Sequence, residues 1–93
     1  MAKLKATFRI GDGPAITAMG REAQTIIALV HAGPKGITSL ETFLAGWAVR
    51  LGAYIFDLRQ MGVPIKTTRE PHEGGSHARY SLAGPVQLIE AVA

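Results

Sequence analysis

Leu51-Gly52-Ala53-Tyr54-Ile55-Phe56-Asp57-Leu58-Arg59-Gln60-Met61-Gly62-Val63-Pro64-Ile65-Lys66-Thr67, residues 51–67, is the stretch that decides the fold. Leu51, Ile55 and Leu58 recur at i, i+4 and i+7, which is one face of an α-helix, with Tyr54 and Met61 at its edge. The periodicity predicts a helix from about Trp47 to Met61. Gly62 suits the position just past a helix end, and Pro64 forbids continuation and starts extended chain. An amphipathic helix that stops on glycine and passes directly into a strand is therefore expected.

Upstream, Thr38-Ser39-Leu40-Glu41 reads as a capping box. The threonine hydroxyl accepts from the Glu41 amide while the Glu41 carboxylate accepts from the Thr38 amide. A short helix to about Ala45 is expected, with Leu40, Phe43 and Leu44 inward, and Gly46 opening the next turn. Before it, Ala23, Ile26, Ile27 and Val30 mark one face of a helix that begins near Gly20 and stops at Gly33-Pro34-Lys35-Gly36. Earlier still, Leu4, Ala6, Phe8 and Ile10 alternate with Lys3, Lys5, Thr7 and Arg9, the period of a half-buried strand, and Gly11-Asp12-Gly13-Pro14 breaks it in a turn.

Downstream, Val63–Thr68 and His77–Leu82 read as two strands joined by the polar tip Arg69–Ser76, with Gly74-Gly75 as the turn signal. Gly84-Pro85 is expected to open a last short helix, residues 84–93, packing back through Val86, Ile89 and Val92. The predicted architecture is α+β, one domain over residues 1–93. It comprises an N-terminal strand and turn (1–18), a three-helix core (20–62), a hairpin (63–82) and the C-terminal helix.

Composition narrows the chemistry. A chain of 93 residues leaves no room for a second folding unit. The absence of cysteine removes disulfides, a thiolate nucleophile and cysteine-ligated zinc. Met1–Lys5 lacks the apolar run of a secretory leader, and no window approaches the roughly 18 apolar residues of a membrane span, so a cytoplasmic setting without membrane contact is expected. The net charge of +3 favours an acidic partner. No phosphate-binding loop, nucleophile elbow or zinc-protease motif is present, so neither an enzyme nor a cofactor is expected.

With these motifs placed, the segment Gly33–Leu82 resembles the winged helix-turn-helix domains of bacterial and phage proteins. The match is strongest over Leu51–Thr67, with its Asp57-Leu58-Arg59 helix end, and is supported by Gly36–Glu41. The resemblance implies a recognition helix at Trp47–Met61 entering the DNA major groove, and a hairpin wing lying along the backbone. It implies double-stranded DNA as partner, contacted by Arg50 at a base edge or phosphate and by Lys66, Arg69, His77 and Arg79 at phosphates. Such a protein would be a small regulator of transcription or an architectural accessory.

Each residue also has a plainer reading. Trp47 either stacks on a base or anchors the helices. His72 and His77 sit in a glycine-rich tip without a third ligand, so no metal site is expected there. The face of the third helix opposite Leu51, Ile55 and Leu58 carries Val49, Ala53, Phe56 and Gln60, which is apolar for a DNA reader. That face is either covered by the rest of the fold or is a protein-interaction surface. The second functional reading is accordingly a winged-helix-like interaction module, such as a phage-encoded inhibitor of a host nucleic-acid-processing complex. A homodimer through a free edge of the strand Lys3–Ile10 is compatible with either, as is a place for that strand beside the wing.

Overall fold

The alternation at the N-terminus folds as expected into β1 (Lys5–Ile10), with Ala6 and Phe8 fully buried, in a computed structural model that describes residues 3–48 and 50–93. The turn that follows returns the chain as a second strand, β2 (Ala15–Met19), not a loop; β2 pairs antiparallel with β1. It runs without a gap into α1 (Gly20–Ala32), whose first amide donates to the Leu4 carbonyl at 2.8 Å. Ala23, Thr25, Ile26 and Leu29 are the buried residues of α1, whereas Ile27 and Val30 are only half-buried. The buried stripe is thus turned by part of a step from the expected one. The inward Thr25 hydroxyl is satisfied by donating to the Arg21 carbonyl at 2.7 Å.

After a 3₁₀ turn at Gly33–Lys35, the two residues Ile37–Thr38 form β3, and α2 (Ser39–Leu44) follows. The capping box is present in full. The Glu41 amide donates to Thr38 Oγ1 at 3.1 Å, and the Thr38 amide donates to the Glu41 carboxylate at 2.9 Å. The expected inward face of α2 is reversed: Thr42 is its buried residue, and Leu40, Phe43 and Leu44 are exposed. The cause lies in the cap. Pairing of Thr38 with Arg79 fixes where the helix starts and so fixes its phase. Thr42 is then turned inward, with its hydroxyl donating to the Ser39 carbonyl at 3.1 Å. Residues two positions to either side of Thr42 lie about 200° round the helix, on the outside.

α3 spans Leu51–Gln60, starting four residues later than the expected Trp47. The Trp47 and Ala48 amides both donate to the Thr42 carbonyl, so this segment continues the turn after α2 and is not helical. Leu51, Ile55 and Leu58 are the buried stripe, as the periodicity requires. Gly62 has φ +95°, consistent with its place after the helix. Two long strands follow, β4 (Ile65–His72) and β5 (Gly75–Leu82). They extend the hairpin well beyond the expected ends, leaving only Glu73-Gly74 between them.

The C-terminal segment is a strand, not a helix. β6 (Val86–Val92) pairs antiparallel with β1, with one irregularity opposite Thr7 and Phe8 that leaves Ile89 without a partner. The spacing of Val86, Ile89 and Val92 fits a helix, but a short apolar run cannot by itself distinguish the two periods. β-Branched residues favour extended chain, and one edge of β1 supplies the hydrogen bonds that an isolated short helix would lack. The Gly11 amide, just past β1, donates to the Pro85 carbonyl, and the Ala83 amide donates to the Pro64 carbonyl ahead of β4.

Two three-stranded sheets result, with orders β2-β1-β6 and β3-β5-β4. β1 is therefore the central strand of its own sheet. It has no free edge for a homodimer, and it does not join the hairpin, whose third strand is β3. One apolar cluster binds the layers, joining Phe8 of β1, Ile26 and Leu29 of α1, Leu51, Ile55 and Leu58 of α3, and Ile65 of β4.

Candidate nucleic-acid interface

α3 and the β4–β5 hairpin form one surface because the chain passes from one into the other through Gly62-Val63-Pro64. Arg59, on the exposed side of α3, fixes the junction. Its guanidinium donates at 2.9 Å to both the Ile65 carbonyl and Thr67 Oγ1. Register pairs Thr67 with Tyr80 and Arg69 with Ala78, so these four share the face of the hairpin that meets α3. Arg69 is exposed on that face, one pleat beyond Thr67.

The opposite face of the hairpin carries Lys66, Glu70, His77 and Arg79. Arg79 Nε donates to Glu70 Oε2 at 2.8 Å, and its Nη1 lies 3.2 Å from both the Glu41 carboxylate and the Lys35 carbonyl. This one side chain ties the hairpin to the cap of α2. His77 Nε2 lies 2.9 Å from Glu70 Oε1. The Arg79 hydrogen bond, opposed by burial and helped by His77, holds the Glu70 carboxyl below the usual carboxylate range. The same contact with Glu70 raises the Arg79 guanidinium further. His72 stacks on His77 with ring centres 5.1 Å apart, and its Nδ1 meets the Glu73 carbonyl.

The residues marked by sequence thus divide. Lys66 and Arg69 are exposed and form no ion pair among the described residues. Arg50 is exposed at the residue preceding α3. His77 and Arg79 are both engaged by Glu70. Trp47 is half-buried and packs against the core. On the outer side of α3, Phe56 is 60% exposed and Gln60 is exposed, while Ala53 is half-buried. Val49 lies outside the described residues.

Sequence reading did not foresee the contacts of Glu70 with His77 and Arg79. The signal for both was the hairpin turn. Centring it on Glu73-Gly74, one residue earlier than the Gly-Gly pair, places Glu70 opposite His77 and Thr68 opposite Arg79. Elsewhere, a pocket of about 230 Å³ at the start of α1 is lined by Leu4, Gly20, Arg21 and Gln24. Among the described residues no three His, Asp or Glu side chains converge as metal ligands do.

In comparison with known proteins, residues 15–92 match a family model described as a winged helix domain. No curated protein and no solved structure matches the chain.

Proposed function

The chain belongs to the winged helix domain family, and on that premise we propose that it binds double-stranded DNA, with α3 set to the major groove and the hairpin along the backbone. The carrying observation is the pair of exposed cations Arg50, just ahead of α3, and Arg69, on the hairpin face that meets α3, neither in an ion pair among the described residues, beside a helix and hairpin locked together by Arg59; Lys66 is exposed on the hairpin's other face. In this reading Arg50 meets a base edge or phosphate, and Lys66 and Arg69 meet phosphates. His77 and Arg79 are engaged by Glu70, so in this reading they act mainly by holding the wing in place. The role is that of a small regulator or architectural accessory, and no catalytic step is assigned to it.

The test is anisotropy on a generic duplex across a salt series. Each neutralised phosphate contributes about −0.9 to the slope of log K against log salt. Arg50→Ala, Lys66→Ala and Arg69→Ala should each flatten that slope by about one. Affinity that ignores salt, or no binding at low salt, refutes the proposal.

The exposed Phe56 favours a second reading, a protein-interaction module docking through the α3 face of Ala53, Phe56 and Gln60. The two separate on Phe56→Asp. A folded variant with weakened duplex binding places this face against DNA, because the new carboxylate repels phosphate. A wild-type protein that binds no duplex moves the assignment to protein docking.

A further inference from the structure

The outer side of α2 has no use in the DNA reading. Leu40 is 62% exposed, Phe43 56% and Leu44 73%, on a helix of only six residues. The helix carries no cation or amide side chain to offer a phosphate. Its one charged residue, Glu41, is already engaged by the Thr38 amide and Arg79. A face that offers apolar surface and no free charge is suited to an apolar partner, not to nucleic acid.

We infer that this face is a self-association surface, on which α2 of one molecule packs antiparallel against α2 of a second copy. Leu40 and Leu44 are four residues apart on one side of the helix, so a two-fold axis between them sets Leu40 of each copy against Leu44 of the other. Phe43 closes one flank of the contact. The arrangement brings no like charges together, because Glu41 points to Arg79 in each copy. Ala45 and Gly46, exposed at the end of the helix, present no bulk to hold the second molecule off.

The area is consistent with a weak dimer. At roughly 200 Å² for a large apolar side chain, the three residues leave about 400 Å² of apolar surface per molecule. Two copies supply at most about 800 Å², and with Ser39, Ala45 and Gly46 at the rim the contact stays below the ~1,000 Å² of a specific stable interface, in the range of weak, transient association. The interface requires no DNA, and it leaves the edges of the β2-β1-β6 sheet unused.

Light scattering and sedimentation equilibrium on the full chain without DNA test this. The expected result is a dimer that dissociates on dilution, with a measurable dissociation constant. Leu40→Glu and Leu44→Glu should each raise that constant at least tenfold with an unchanged circular dichroism spectrum. Ile89→Glu, on the exposed β6 edge, should leave it unchanged. If a glutamate variant loses its fold, Leu44→Gln is read in its place. A monomer at every concentration, a dimer indifferent to the α2 variants, or a dimer abolished by Ile89→Glu overturns the inference.

Discussion

Gly36→Ala tests how closely the wing is held to the helical core. Gly36 has φ +68° and ψ −171°, a region of backbone space that is essentially open only to glycine. A Cβ at this position would also sit against the Tyr80 carbonyl oxygen, well inside contact distance, and 3.0 Å from Ser81 Cβ. Backbone strain of about 1–3 kcal/mol and overpacking of a similar size give roughly 2–6 kcal/mol in total. At about 4–8 °C per kcal/mol for a domain of this size, Tm should fall by at least ~8 °C.

Gly33→Ala is the control. Gly33 also has positive φ, +60°, but a Cβ there meets nothing within 4 Å. It should carry the strain alone and lose about 1–3 kcal/mol. Thermal melts of both variants, followed by far-ultraviolet circular dichroism, measure the difference. Equal Tm losses would mean that β5 does not approach Gly36. A Gly36→Ala protein melting within about 2 °C of wild type would refute the reasoning outright.

Thr38→Ala removes one half of the capping box and should cost about 1 kcal/mol, read as a drop in Tm of about 4–8 °C. Glu70 has a lowered pKa in the folded protein, so its ion pairs contribute stability above the ordinary carboxylate value of 4.5 and lose it as pH falls through the lower folded value. Glu70→Gln should therefore lower Tm at pH 7, with the two proteins converging on acidification; a constant gap across pH would count against the pairing. Amide hydrogen exchange in β6 should show protection at alternate residues, where N–H groups face β1. Protection of consecutive amides across Val86–Val92 would restore the helix expected from sequence.

What the chain determined by itself is local. The Leu51, Ile55 and Leu58 stripe, the Thr38–Glu41 cap and the alternation of Lys3–Ile10 each state a period or a hydrogen-bond pattern complete within a few residues, and each is found in the structure. The family resemblance rested on the same segments. What tertiary structure decided is where a local pattern was ambiguous or its phase was free. Val86–Val92 suits either a helix or a strand, and the unpaired edge of β1 selects the strand. Leu40, Phe43 and Leu44 suit a buried face, yet pairing of Thr38 with Arg79, 41 positions away in the chain, rotates α2 and turns them outward. The cations of the wing obey the same physics: Arg69 and Lys66 are left exposed, while Arg79 is claimed by Glu70 and Glu41. Composition counts charges, but only the register of the strands decides which of them face water.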